Sequence, residues 1–389
     1  MELLRIISML MVTVLHALGK SDLLVSFSGS VGVNGTAAWI FEALSIGAVN
    51  IFMLISGYFL VNSEFKIQKL IDIICQVLFY SVGSFLVFLI FGLVKPADIT
   101  IYNLLNYFLP IHMEVYWFIT AYVVLYILSP ILSKGIKAVS QKTLGIVIIC
   151  MLIYECGFKS ILPFRLTSDT KGYTFLWYVV MFLVGAYFRL YGVPLIDSCL
   201  KGWILYCGGA VCVFAETLVI SKIYGATGKL ATIINLSTEY NNVFVALLAI
   251  GIFAAFVHME PMNEKAGKII RIVSPLALGV YLFQENLMLR FEWQKWFGLP
   301  DSIDDNPALF VLRLLGAVLS MFVIGILVDA VRKLLFKGIT IFFKKLKKLI
   351  GGNSSTEEEI DEEGEEEEAE EKINRRNVDR NNADGGNDE

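Results

Sequence analysis

The sequence has little charge for its length. Asp, Glu, Lys and Arg make up 17% of the 389 residues, against roughly 25% in a typical soluble domain. Hydrophobic residues make up 56%. This composition excludes a soluble globular domain and favours a chain whose surface is largely covered by lipid.

The short motifs of many soluble proteins are also missing. The six cysteines contain no CxxC pair and fall mostly in apolar stretches, so they predict small packing side chains and neither disulfides nor a zinc site. The sequence contains no Walker, Rossmann or EF-hand motif and no nucleic-acid-binding signature. We therefore expect no metal, no bound cofactor and no nucleic-acid partner.

The charge that is present is unevenly distributed. Residues 351–389 contain 16 acidic and 4 basic residues, whereas residues 1–350 contain 20 acidic and 28 basic residues. An acid run of this kind cannot bury a core, which predicts a disordered acidic tail over residues 351–389. Residues 336–350 mix lysines with phenylalanines and predict a basic juxtamembrane segment that contacts anionic membrane lipids.

Residues 1–335 predict an all-α, polytopic transmembrane bundle. About ten stretches have the roughly 20 mostly apolar residues that a spanning helix needs. They lie near residues 3–19, 38–61, 71–94, 115–133, 143–162, 174–193, 202–222, 242–258, 272–291 and 308–335. The first stretch is interrupted by Arg5 and His16 and has no signal-peptide cleavage site, so we expect it to stay in the mature protein.

The basic residues predict the orientation of this integral membrane protein. Lysine and arginine are weakly favoured in the loops after even-numbered spans, and seven of them lie at and beyond the end of the tenth span, between residues 332 and 348. Because basic loops stay in the cytoplasm, we expect both termini to be cytoplasmic.

The first predicted span contains the pair of polar residues that most clearly suggests a functional site. Arg5 and His16 are eleven positions apart, which places them on one helix face with an axial separation of about 16 Å. One end of this face thus offers a group that binds anions, and the other end offers a titratable base. The alternative is that Arg5 reaches lipid headgroups and His16 lies in the outer interface.

The pair resembles the arginine–histidine signature of the membrane-bound acyltransferase 3 family. Further stretches resemble that family in the same order, over about residues 1–335. They are Asn50–Tyr58, Tyr116–Tyr122 leading to Pro130, Phe182–Arg189 and Gly279–Asn286. The resemblance implies transfer of an acyl group from cytoplasmic acyl-CoA, as co-substrate, to a hydroxyl of a cell-surface polysaccharide or its lipid-linked precursor. It implies that His16 is catalytic and that Arg5 contacts the donor; acetyl is the favoured acyl group, with succinyl as the alternative.

The chemistry of the reaction agrees with this interpretation and points to further residues. A sugar hydroxyl needs a general base, for which histidine is the usual choice, and arginine is the natural partner of the coenzyme A phosphates. Among the carboxylates in or near the spans, which include Glu42, Glu155 and Glu216, we favour Glu285 as the site acid. We expect Arg189 to contact the donor. The predicted acceptor-binding residues are Tyr116, Trp117, Gln284 and His112.

Gln284 departs from the family pattern, because many relatives have histidine at this position. An amide cannot carry a proton at neutral pH, so we predict that Gln284 positions substrate.

Two other functions remain open at this level. A transporter or polysaccharide flippase also has many spans and intramembrane charges, but we find no matching pair of broken helices and no internal repeat. A regulatory module that acts through the acidic tail would make the tail essential and the first helix replaceable.

Overall fold

The computed structural model describes residues 1–29, 31–95, 99–158, 171–229 and 233–350. The side chains are described up to residue 346. The chain divides into two units, residues 1–330 and residues 331–389. The predicted acidic tail lies outside the described residues, as does the loop that contains Arg165.

The described residues are helical or irregular, and none of them forms a strand. In the first half of the chain, the helices are α1 (Glu2–Gly19), α2 (Val33–Ser45), α3 (Ala48–Leu60), α4 (Ile67–Leu78), α5 (Ser84–Ile90), α6 (Ile101–Phe108), α7 (Trp117–Ala138), α8 (Gln141–Leu152) and α9 (Phe175–Tyr191). The second half contains α10 (Cys199–Thr227), α11 (Val243–Val257), α12 (Glu264–Val273), α13 (Ala277–Gln284), α14 (Trp293–Trp296) and α15 (Pro307–Ile350). The predicted all-α class is confirmed.

Eight helical stretches of the described chain are long and apolar enough to cross a membrane. They are Glu2–Gly19, Val33–Leu60, Ile67–Ile90, Trp117–Ala138, Cys199–Thr227, Leu236–Val257, Glu264–Gln284 and Pro307–Leu346. The predicted span near 174–193 corresponds to α9, a shorter apolar helix. The span predicted near 143–162 corresponds to α8 and a π-helical turn, Ile153–Gly157, and its end lies outside the described residues. A helical membrane bundle is thus supported, whereas the count of ten spans stays a prediction.

Two predicted spans have different bounds in the structure. The second span is broken between α2 and α3 at Ile46–Gly47, where the side chain of Leu248 from α11 packs against Gly47. The ninth span begins earlier than predicted, at Glu264, and its helix ends at Gln284. Glu285 therefore lies just beyond the helix and not within it.

The centre of the first unit depends on a close crossing of α3 and α9. A Cβ atom at Gly57 would overlap the carbonyl oxygen of Phe182, and one at Gly185 would overlap the carbonyl oxygen of Leu54. The two glycines thus let the two helix backbones touch, as small residues do in membrane interiors. This agrees with the close packing that the sequence Ser56–Gly57 suggests.

A buried hydrogen-bond network fixes the neighbouring loop. The side chain of Asn50 on α3 accepts a hydrogen bond of 2.8 Å from Trp177 Nε1 and donates one of 2.8 Å to the carbonyl of Tyr240. Asn50 and Trp177 are fully buried, so both polar groups need these partners. The network holds Tyr240 at the start of the segment that leads into α11.

In the second unit, the described residues 331–350 are helical. Leu335, Phe342 and Phe343 are exposed, and the guanidinium of Arg332 lies 5.3 Å from the ring centre of Phe336. Exposed apolar side chains interleaved with lysines fit the predicted contact with a membrane surface.

Candidate functional site

A polar cavity of about 350 Å³ lies beside the C-terminal half of α1. Helix α1 contributes a stripe with helical spacing, namely Met9, Val12, His16, Gly19 and Lys20. We call this space the His16 cavity. Its ionisable lining residues besides tyrosines are His16, Lys20, Glu42 and Glu285. Its aromatic lining residues are Phe52, Trp117, Phe118, Tyr173, Tyr240 and Tyr281.

His16 and Glu285 meet in this cavity. The Nδ1 atom of His16 lies 3.2 Å from Oε1 of Glu285, with His16 and Glu285 side chains 19% and 10% exposed. The contact lacks the angle of a full hydrogen bond. The ring of His16 lies 6.2 Å from that of Tyr281, one turn before Glu285.

Lys20 contacts the same carboxylate oxygen. Its Nζ donates to Oε1 of Glu285, and the ammonium lies 5.4 Å from the ring centre of Phe291. Burial alone would raise the pKa of Glu285, but the charges of His16 and Lys20 hold that pKa below its ordinary value. Glu285 is therefore ionised at neutral pH.

The segment after α13 is anchored to the end of α1. The amide of Gln294 donates to the carbonyl of His16 at 3.4 Å and to that of Arg290 at 3.0 Å. Arg290 itself donates to the carbonyl of Val115 at 3.3 Å. These bonds explain how a residue just past a helix end is held against α1.

Gln284 lies next to His16 and is fully buried. Neither its amide nitrogen nor its amide oxygen makes a hydrogen bond of good geometry with a described group. An unsatisfied buried amide is costly, and Gln284 is not among the residues that line the His16 cavity.

The predicted acceptor-binding residues do not all line the His16 cavity. Trp117 lines the His16 cavity, with its ring 5.7 Å from that of Tyr240 in a stacked arrangement and 4.4 Å from that of Tyr173. Tyr116 is buried behind the cavity wall, 6.2 Å from the ring of Tyr281. His112 is exposed and is not among the cavity-lining residues.

The two predicted donor-binding arginines converge at the other end of α1. The guanidinium of Arg5 lies 5.2 Å from the ring centre of Phe59, and that of Arg189 lies 5.0 Å from the ring centre of Tyr58. Arg189 also donates to the hydroxyl of Tyr58 at 3.2 Å, and the rings of Tyr58 and Phe59 are 5.3 Å apart. Arg5 is paired with Glu2, which also accepts a hydrogen bond from Ser274.

Sequence reasoning did not single out Lys20, and it named Glu42 only as one of several carboxylates. The signal for Lys20 was its position four residues after His16, on the same helix face. Nothing in the sequence separates Glu42 from the other carboxylates, because only packing places it in the cavity wall.

A larger cavity of about 610 Å³ lies elsewhere, between α8, α9, α10 and α11. Its lining is apolar apart from Lys201 and Tyr187, and Lys201 is paired with Asp197 at 2.6 Å. Its lining contains no histidine and no carboxylate, which makes the smaller His16 cavity the better candidate site. No group of three or more His, Cys, Asp or Glu side chains that could hold a metal occurs in the described part of the chain.

The fold and the cavity define a helical membrane protein with a histidine–carboxylate pair facing an aromatic pocket. The chain belongs to the acyltransferase 3 family: the model of that family, described as an acyltransferase domain, matches residues 1–329. The match covers α1 to α14, the first half of α15 and the charged cavity, and it makes the protein a membrane acyltransferase. Comparison with curated proteins and with solved structures gives no match.

Proposed function

We propose that this membrane acyltransferase moves an acyl group from acyl-CoA to a hydroxyl of a cell-surface polysaccharide or its lipid-linked precursor. The observation that carries the proposal is the contact between His16 and Glu285 inside an aromatic cavity. Acetyl-CoA is the favoured donor and acts as a co-substrate, with no other cofactor required.

His16 is the general base in this mechanism. With Nδ1 turned toward Glu285, Nε2 takes the proton from the acceptor hydroxyl as its oxygen attacks the thioester carbonyl carbon. A new C–O bond forms, the C–S bond breaks, and the proton passes from His16 to the departing thiolate. Glu285 holds the imidazole in place and stabilises it while it is protonated, as the carboxylate does in a catalytic triad.

The two ends of α1 have different roles in this mechanism. In this proposal Arg5 and Arg189 bind the phosphates of coenzyme A. Their guanidinium groups lie over the rings of Phe59 and Tyr58, respectively. The unbroken α1 puts about 16 Å between Arg5 and His16. The pantetheine arm of coenzyme A can span this separation, because its thioester lies far from its phosphates. The cavity-lining residues that start at Met9 and continue to Lys20 extend along most of the distance between Arg5 and His16.

The donor end is proposed to face the cytoplasm, together with both termini. The support is the group of seven lysines and arginines between residues 332 and 348, which favours the cytoplasmic side. A reporter fused after Glu389 should then report the cytoplasm. Truncation after Gly352 should leave transfer within a few-fold of the full chain. An extracellular reporter signal would contradict this orientation.

The test of the proposed function is acyl transfer by the purified protein. Wild-type protein in detergent or liposomes should acylate an oligosaccharide acceptor from acetyl-CoA, and mass analysis of the glycan should show the added group. Cells that lack the gene should lose that modification from their surface glycans. A protein that neither binds acyl-CoA nor modifies any glycan, yet moves one across the membrane, would instead be a transporter.

A further inference from the structure

Glu42 is a buried carboxylate that the mechanism above does not use. It lies in the last turn of α2, lines the His16 cavity and is 6% exposed. Its Oε2 atom has no hydrogen-bond partner, and no ion pair to Glu42 is found among the described residues. The nearby cation Lys20 is bonded to Glu285 instead.

Two other carboxylates of the bundle, one half-buried and one fully buried, accept hydrogen bonds from protein groups. Glu216 on α10 accepts a hydrogen bond of 2.8 Å from Asn242. Asp329 on α15 accepts hydrogen bonds of 2.9 Å from Gln76 and 3.1 Å from Tyr80. A buried carboxylate without donors costs several kcal/mol. Glu42 therefore lacks the structural role of these two residues, and the cavity side is where its donors must come from.

The surroundings of Glu42 indicate what those donors are. Tyr173 and Tyr240 line the same cavity as Glu42, and their rings pack on Trp117 to form an aromatic wall. A sugar ring presents an apolar C–H face, which such a wall can cover, and hydroxyls at its edge. A carboxylate accepts hydrogen bonds from hydroxyls and cannot donate any when ionised. An aromatic wall beside a carboxylate with free acceptor atoms thus matches a polyhydroxylated ring.

We infer that Glu42 binds the acceptor sugar by accepting hydrogen bonds from its hydroxyl groups, and that it selects neutral sugars over acidic ones. The inference rests on the proposed function, because it names the acceptor class of that same cavity. The discrimination has a repulsive part: a sugar carboxylate beside Glu42 would bring two carboxyl groups together in a site with little water, where they cannot both ionise without a cost. Lys20 does not offset this repulsion, since Glu285 already holds it.

The decisive variant is Glu42→Gln, which keeps the size of the side chain and replaces its carboxyl group with an amide. The matched control is Glu216→Gln, a half-buried carboxylate outside the cavity. Initial rates would be measured with acetyl-CoA and with oligosaccharides that end either in glucose or in glucuronic acid. For the glucose-ended acceptor, Glu42→Gln should raise KM by about 10-fold to 100-fold, the range for losing a hydrogen bond to a charged group. The kcat and the KM for acetyl-CoA should change less than threefold.

The preference for the glucose-ended acceptor should fall at least tenfold in Glu42→Gln and stay unchanged in Glu216→Gln. An unchanged acceptor KM in a folded Glu42→Gln protein would overturn the inference, as would a wild-type protein that prefers the glucuronic-acid-ended acceptor. The second result needs no variant, so poor folding of Glu42→Gln cannot leave the inference untested. If the wild type acylates neither acceptor nor any other glycan, the proposed function itself is wrong. If it acylates a glycan and Glu42→Gln has no effect, only the inference about Glu42 is wrong, and the proposed function stands.

Discussion

His16 Nδ1 lies 3.2 Å from Oε1 of Glu285, although the two residues belong to opposite ends of the first unit's sequence. Glu285 is the first residue beyond α13, and its carboxylate also binds Lys20 from the end of α1. One carboxylate oxygen thus contacts a histidine imidazole and a lysine amino group. The predictions below follow from this arrangement and from the packing that holds it.

Removal of His16 should abolish most of the catalysis without affecting donor binding. We expect His16→Ala to lower the transfer rate by about 10² or more, the usual scale for losing a general base. The Kd for acetyl-CoA should stay within a few-fold, because the arginines that bind the phosphates lie at the other end of α1. The matched control is His258→Ala, an exposed histidine at the end of α11. A folded His16→Ala protein with the wild-type transfer rate would contradict the mechanism.

Lys20→Met should change the pH dependence of transfer. The pKa of Glu285 is held below its ordinary value, so the ionised carboxylate and its stabilising contacts are fully present above the ordinary pKa and are lost as the pH falls through the lowered pKa. Loss of the Lys20 charge should raise the pKa of Glu285 and move the acid limb of kcat/KM to higher pH. Lys295→Met, which breaks an exposed pair with Glu292, should leave the acid limb in place. An acid limb that stays fixed in Lys20→Met would show that Lys20 does not tune this carboxylate.

Arg5 should act in donor binding. Arg5→Ala should raise the Kd for acetyl-CoA by about 10-fold to 100-fold, the range for a charged hydrogen bond, and should leave the acceptor KM nearly unchanged. Arg5→Lys should recover part of the affinity, because an ammonium lacks the planar fork of the guanidinium. Isothermal titration in detergent measures the Kd for acetyl-CoA of both Arg5 variants. The control is Lys265→Ala on the exposed helix α12. Equal affinity in Arg5→Ala and wild type would remove Arg5 from the donor site.

Gln284 should position the acceptor and carry no proton. Gln284→Leu removes two buried polar atoms that lack partners of good geometry, so the protein should unfold at the same or a higher temperature. Its acceptor KM should nevertheless rise, because hydrogen bonds to the substrate are lost. Gln284→His should be tolerated. If Gln284→Leu keeps the wild-type acceptor KM, the residue serves packing alone.

Gly57→Ala should destabilise the bundle through the crossing of α3 and α9. The added Cβ would overlap the backbone carbonyl of Phe182, which cannot move as a side chain can. We expect a loss of about 1–3 kcal/mol, typical of overpacking, measured as a lower unfolding temperature in detergent. Gly135→Ala on α7 is the control, because nothing lies within 4 Å of a Cβ there. Equal destabilisation by both variants would refute the close-crossing explanation.

The sequence alone was sufficient for the helical membrane class and for the first helix. Spanning length and hydropathy are properties of a single segment, and they predicted most helices without knowledge of their neighbours. The spacing of Arg5 and His16 along α1 likewise depends only on helix geometry. The ends of segments were less predictable: Leu248 packs against the break before α3, and distant contacts of this kind leave no mark in the local sequence.

The tertiary structure decided which residues share a site. The sequence does not distinguish the four carboxylates in or near the spans, namely Glu42, Glu155, Glu216 and Glu285. The packing of the helices brings Glu285 into contact with His16 and places Glu42 in the cavity wall without an ion-pair partner among the described residues. The same packing turns Lys20 from a loop lysine into a partner of Glu285 and leaves His112 outside the cavity. The physical reason is that hydrophobicity and helix period act along one segment, whereas a catalytic contact depends on how separate helices cross and where each one ends.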